Sequence, residues 1–135
     1  MSAIADPHPF RLAVEAKDAA AMEAALHPDV VFRSPVVHRP YAGREATMLL
    51  LRNVVEVFED FRYVDELRGE RTLGLVFEAR VGDRELQGWD YLTLDDAGLV
   101  TSFTVMVRPL SGANALAQAM AARLEVSEPK PAGAP

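Results

Sequence analysis

The chain has 135 residues, 14 basic and 20 acidic side chains, a formal net charge of −6 and no cysteine. That length suits one domain burying roughly two thirds of its unfolded surface. The lack of cysteine excludes disulfides, thiolate metal sites and thiol nucleophiles, and an acidic balance without a basic run argues against a surface that tracks nucleic-acid phosphates. The three histidines, His8, His27 and His38, have no metal-ligand spacing, so no metal is expected. No stretch approaches the ~18 apolar residues of a membrane span, and MSAIADPHPF is neither a basic leader nor a long apolar run. A cytoplasmic protein without membrane contact is expected.

Pro9 suits a first helical turn, and Phe10, Ala13, Val14 and Lys17 follow at helical spacing, the lysine stem able to lie along a core. Asp18 reads as the cap of a second helix over Ala19 to Leu26. His27-Pro28-Asp29 breaks that pattern, and Val30 to Ser34 has the β-branched and aromatic content of a short strand ended by Pro35. After the connection Val36 to Tyr41, Gly43-Arg44-Glu45 opens a long helix with Met48, Leu51, Val55 and Phe58 on one face. Phe61 to Arg68 alternates imperfectly, with Phe61, Tyr63 and Leu67 set against Arg62, Glu66 and Arg68, and reads as a half-exposed strand before a turn at Gly69.

A three-stranded meander follows. Leu73, Leu75, Phe77, Ala79 and Val81 share one face of its first strand, and Gly82-Asp83 forms a two-residue turn. That turn sets Ala79 opposite Leu86, Phe77 opposite Gly88 and Leu75 opposite Asp90. A second turn at Asp95 to Gly98, with Leu94 opposite Leu99, sets Asp90 opposite Phe103. Asp90 is then the one charge on a face of Leu75, Phe77, Leu92 and Phe103. The other face carries Trp89, Tyr91 and Met106, a mixture suited to a homodimer interface, with Arg80 placed to pair with Glu85. Ser111 caps a last helix with Ala113, Leu116, Ala117, Met120 and Leu124 in one stripe, and Ser127 to Pro135 reads as a flexible tail.

Helix, helix, strand, long helix and a run of antiparallel strands resembles the cone-shaped α+β fold of SnoaL-like polyketide cyclases and nuclear-transport-factor-two-like proteins. Leu26 to Phe32, Ser34-Pro35, Gly43-Arg44-Glu45 and Asp95 to Gly98 are similar to that superfamily in order and spacing. The resemblance implies N-terminal helices and a long helix packed on a strongly curved, mostly antiparallel sheet with an internal pocket, then a C-terminal helix. It places the domain at residues 9–126 and the tail at 127–135. Ketosteroid isomerases share the fold, and their oxyanion-hole aspartate corresponds to Asp90. Their base aspartate corresponds to Ser34, before Pro35, and their first-helix tyrosine falls at about Phe10. Limonene epoxide hydrolases would use Arg80, but their last-strand aspartate falls near Val105. The cyclases' late aspartate falls among Val105, Met106 and Arg108, and dehydratases of the scytalone type need two pocket histidines where this chain offers His38.

Asp90 therefore has two readings: an acid whose burial lifts it toward neutral pH, or a structural carboxylate satisfied by a neighbour. His38 is a secondary proton carrier. Ser34, Tyr63, Leu75, Phe77, Leu92, Phe103 and Phe58 are the candidate ligand contacts, each also readable as a core or strand-edge residue. Together with these residues, the resemblance implies a small-molecule pocket protein, a cofactor-free isomerase, cyclase or dehydratase-like enzyme in which Asp90 donates a proton to an apolar carbonyl compound. The alternative is a non-catalytic ligand-binding or dimeric assembly module.

Overall fold

Two short helices, α1 (Pro9–Glu15) and α2 (Ala19–Ala25), lead into strands β1 (Leu26–Arg33) and β2 (Tyr41–Ala42) and the long helix α3 (Arg44–Val57). Strands β3 (Glu59–Arg68), β4 (Thr72–Val81), β5 (Arg84–Leu94) and β6 (Val100–Arg108) follow, and α4 (Leu110–Ser127) ends the fold. This computed structural model describes residues 6–127. Ser127, assigned to the tail above, is the last helical residue, and the rest of that tail lies outside the described residues.

Local chemistry starts the helices. The His8 ring accepts from the Phe10 amide through Nδ1 at 3.0 Å, and its Nε2 lies 2.9 Å from the Gly98 carbonyl, tying α1 to the β5–β6 turn. With Nδ1 accepting, the neutral ring carries its proton on Nε2 and donates to that carbonyl. Asp18 caps α2 through a 3.1 Å bond from Ala21. Helix α1 ends sooner than its periodicity suggests: Lys17 turns into the left-handed region at φ 54° and is exposed rather than laid along the core. Gly43, at φ 98°, makes the bend before α3 at little steric cost.

The strands form one six-stranded sheet in the order β2-β1-β6-β5-β4-β3, antiparallel except where β1 runs parallel to β6. Strand β1 begins at Leu26, four residues before the expected start. Its pairing with β6 is interrupted between Leu26 and Val31, where Pro28 has no amide to contribute. The β4–β5 hairpin has the register read from its turn, with Leu75 opposite Asp90 and Phe77 opposite Gly88, and Gly82 at φ 62° closes it.

The β5–β6 pairing differs from the expectation. Leu94 pairs with Val100 rather than Leu99, and an irregularity at Thr101 displaces the ladder again, so that Asp90 faces Val105 and Leu92 faces Phe103. The total displacement is two residues, so Phe103 and Val105 keep the face assigned to them. Thr101 donates its hydroxyl to the Thr93 carbonyl at 3.1 Å, satisfying backbone that the irregularity frees.

The helices cover the apolar face of the sheet. Phe10 of α1 meets Phe103 edge-on at 5.2 Å, and Phe58, just past α3, lies 5.4 Å from Phe77. Such contacts are worth about 0.5–1.5 kcal/mol each beyond simple burial. Arg123 of α4 donates to the Asn53 side chain at 3.1 Å, fastening α4 to α3. No helix among the described residues is long and apolar enough to cross a membrane.

Candidate active site

Strand β3 departs from strict alternation, and that departure shapes the site. Tyr63 pairs with Phe77 but Asp65 pairs with Val76, leaving Val64 as an extra residue in the ladder. A bulge of this kind puts residues three apart on the same face. Tyr63 and Glu66 both turn inward, while Leu67, assigned inward by alternation, is 47 % exposed. The expected alternation therefore fails after Tyr63, and the apolar face holds two buried carboxylates, Glu66 and Asp90, where one was expected.

The two carboxylates have different surroundings. Glu66 accepts from Arg11 at 2.9 Å and from Arg68 at 2.8 Å. Burial pushes its carboxyl up, but the bonds from Arg11 and Arg68 outweigh burial and hold it below the usual range. Asp90 has one partner among the described residues, the Tyr63 hydroxyl, which donates to Oδ2 at 3.2 Å. That is long for a bond between two oxygens. Burial dominates, and the Asp90 carboxyl is pushed up to about 7, the Tyr63 bond opposing the rise only in part. Tyr63 is itself lifted well above its ordinary value, first by burial and then by the charge and bond of Asp90, so it remains a donor. The Arg11 guanidinium lies 5.6 Å from the centre of the Tyr63 ring, joining the Glu66 network to this pair.

Asp90 and Tyr63 sit together in the wall of a cavity of about 650 Å³, within the usual range for small-molecule sites. Every fully buried polar side-chain atom among the described residues has a partner, so Oδ1 of Asp90, which has none, opens onto that cavity. Phe61 joins Phe58, Phe77 and Tyr63 in an aromatic wall, with ring centres 4.9–5.5 Å from Phe61. Phe77 lies across Gly88, where a Cβ would fall 2.1 Å from the ring. Helix α4 closes another side through Leu116, Met120 and Leu124.

Of the residues singled out in the sequence, the fold brings Asp90, Tyr63, Ser34, Phe58, Phe77 and Phe103 to this cavity. Leu75 and Leu92 do not line it. They are fully buried beneath the lining, because side chains in mid-sheet are covered by their neighbours. His38 is exposed on a separate, more open groove with Arg33, Pro40 and Met106, since the connection from Pro35 to Pro40 carries it around the edge of the sheet. Ser34 spends its oxygen on the amides of Val36 and Val37, at 3.0 and 2.9 Å. Arg80 bonds Glu59 and Asp60, at 2.7 and 2.8 Å, instead of Glu85, because β3 brings two carboxylates alongside it. Sequence reading missed Glu66, Tyr41 and the part taken by α4. Only the broken alternation of β3 signalled the first.

A curved α+β cone whose cavity wall carries the buried Asp90–Tyr63 pair defines a small-molecule pocket protein. The sequence pattern of the SnoaL-like domain matches residues 10–103, and the chain belongs to that family. A protein from Pseudomonas aeruginosa titled a steroid delta-isomerase is 44% identical, with 86% of each chain covered and a TM-score of 0.83. An uncharacterised protein with a cystatin-like fold from Silicibacter pomeroyi is 31% identical over 88% of this chain and 84% of its own, with a TM-score of 0.84. An NTF2-like protein from Cytophaga hutchinsonii is 18% identical over 75% of this chain and 85% of its own, with a TM-score of 0.59, a likeness of fold alone. No curated protein sequence matches the chain.

Proposed function

We propose that the chain is a cofactor-free acid/base enzyme, an isomerase, cyclase or dehydratase-like catalyst acting on an apolar carbonyl compound. The observation that carries this reading is the Tyr63–Asp90 bond inside the cavity, with Asp90 near neutrality and Oδ1 open to a ligand. Protonated Asp90 donates to the ligand's carbonyl oxygen through Oδ1 while Tyr63 holds Oδ2. The C–H bonds on the carbons next to the carbonyl become more acidic as negative charge on the oxygen is met by that donor. A group titrating near 7 can both give and retake a proton at neutral pH. The 44% identical protein titled a steroid delta-isomerase supports an isomerase acting on a flat apolar ring compound.

The test is turnover of an unsaturated ring ketone by the wild-type chain and by Asp90→Asn. A loss of about a hundredfold or more is expected, the scale of one general acid. Unchanged turnover rules Asp90 out. One observation favours a second reading, a non-catalytic binder: the position before Pro35 holds Ser34, already bonded to two amides, where ketosteroid isomerases would place a base. Binding of the ketone without proton exchange at its α-carbon would establish that reading.

The assembly we propose is a homodimer through the outer sheet face. Trp89, Tyr91 and Met106 are 40–51 % exposed on adjacent strands, and Trp89 pairs with Met106. This support is compositional, an aromatic and methionine patch of the kind enriched at interfaces. The remaining expectations, no metal, no cofactor and no nucleic-acid partner, belong to the same proposal.

A further inference from the structure

Arg11 of α1 is held from three sides. Its Nε donates to Glu15 at 3.1 Å, its guanidinium donates to the buried Glu66 at 2.9 Å, and it lies over the Tyr63 ring, 5.6 Å from the ring centre. The bulge in β3 makes this arrangement possible. With Val64 extra in the ladder, Tyr63 and Glu66 both face inward, so the carboxylate that anchors Arg11 and the ring that Arg11 covers share one face of one strand. Strict alternation would turn Glu66 outward and leave Arg11 no anchor there.

Phe61 and Phe77 meet the Tyr63 ring nearly at right angles, with centres 4.9 and 6.5 Å away, and fix its plane without charge. Arg11 adds a positive charge over the ring, which draws electron density from the phenol oxygen and makes its O–H a better donor. Glu15 opposes it, Arg11 lowering the Tyr63 pKa and Glu15 raising it. Across the sheet Asp90 has the apolar neighbours Leu75 and Val105, and α3 and α4 line the cavity with apolar side chains. The other charged groups of the lining among the described residues are Lys17, which is exposed, and Asp60 and Arg62, which bond Arg80 and Glu78. The Tyr41 phenol, raised by burial, is uncharged at neutral pH. Arg11 is thus the cation placed to act on the Asp90–Tyr63 pair.

We infer that Arg11 is a positioning residue: it holds the Tyr63 ring so that the hydroxyl stays on Oδ2 of Asp90 and Oδ1 is left to the ligand. Its effect on turnover rests on Asp90 being the acid, as proposed above, whereas its effect on the Asp90–Tyr63 bond does not. That bond favours the ionised form of Asp90 and opposes the rise that burial causes. Loosening Tyr63 therefore raises the pH at which Asp90 loses its proton.

The experiment is a pH titration by carbon-13 NMR of the chain labelled at its aspartate carboxyls, the Asp90 signal being the one lost in Asp90→Asn. Arg11→Met is expected to move the Asp90 midpoint up by about half a unit to one unit. Arg11→Lys, which keeps a cation near the ring, is expected to return it toward the wild-type value. Arg68→Met is expected to leave it in place, since Arg68 shares Glu66 but makes no such contact with the Tyr63 ring. A network that merely held the fold together would lower the melting temperature in both methionine variants and leave the titration alone. An unmoved midpoint in Arg11→Met, an equal shift in Arg68→Met, or a lysine variant no closer to wild type than the methionine one would each overturn the assignment. If Arg11→Met does not fold, the double variant Arg11→Met with Glu66→Gln leaves no carboxylate unpaired there and reads the same shift. Where Asp90 is the acid, the alkaline limb of the kcat/KM profile moves by the same amount. A moved midpoint with unchanged turnover in Asp90→Asn sinks the acid reading and keeps Arg11, and an unmoved midpoint with turnover lost in Asp90→Asn does the reverse.

Discussion

Replacing Asp90 by asparagine removes the charge while keeping the shape and an oxygen for Tyr63. In the folded chain burial lifts the Asp90 carboxyl from 3.8 to about 7, the Tyr63 bond opposing that rise. In the unfolded chain the group titrates near ~4. Between about pH 4 and pH 7 the folded state therefore holds a proton that the unfolded state has released, and unfolding free energy falls by about 1.4 kcal/mol per pH unit. The contribution is fully present below pH ~4 and lost as pH rises through about 7, a span of about 4 kcal/mol. Oδ1 faces a cavity that can admit water, which reduces the cost of the charge. The asparagine variant should then be more stable than the wild type by about 2–3 kcal/mol at pH 8, with no such gain near pH 4. At roughly 3–4 °C per kcal/mol for a chain of this size, the melting temperatures should separate by about 6–12 °C at pH 8. Urea and thermal melts followed by circular dichroism across that pH range measure the difference directly. A stability difference that stays constant from pH 4 to pH 8 would refute the assignment of a buried, mostly protonated Asp90.

Glu66 has the opposite sign. Burial acts against its charged form, but Arg11 and Arg68 hold the carboxyl below its ordinary value. Its stabilisation should be present above about pH 4.5 and lost as pH falls. Melts of Glu66→Gln should therefore differ from wild type at pH 6 and converge with it near pH 3. Arg11→Met should cost about 2 kcal/mol in urea unfolding, less than the ~3–5 kcal/mol of a fully broken buried pair, because Arg68 remains. Gly88→Ala places a methyl 2.1 Å from the Phe77 ring, and a loss of about 1–3 kcal/mol is expected in the same assay. Trp89→Glu puts a charge on the outer sheet face, and sedimentation should show its mass at half that of the wild type. Equal masses would remove Trp89 from the proposed interface.

Much of the architecture was readable because local rules and global packing agree. Asp18 caps α2 as its position suggests, and Gly82-Asp83 sets a hairpin register that holds along β4 and β5. The errors of facing and register fall where a strand departs from period two. The extra residue Val64 reverses the alternation of β3 and brings Glu66 inward, and the irregularity at Thr101 moves Asp90 from Phe103 to Val105. Neither is encoded by a distinctive residue type. Leu75 and Leu92 share Asp90's face yet miss the cavity, because facing inward and touching empty space are different conditions, and only the covering helices distinguish them.

By itself the sequence determined the family, the order of elements and the presence of one carboxylate on an apolar sheet face. The order and the place of the carboxylate follow from periodicity, turn chemistry and cap residues, each acting over a few positions, and the family from a resemblance in motifs and their spacing. The tertiary structure decided which groups meet. Tyr63 reaches Asp90 from two strands away, and Arg11 and Arg68 neutralise Glu66 but leave Asp90 to its burial. The Tyr63–Asp90 and Arg11–Glu66 bonds join residues 27 and 55 positions apart, where a bulge or a strand's place in the sheet moves a side chain by more than the length of a hydrogen bond.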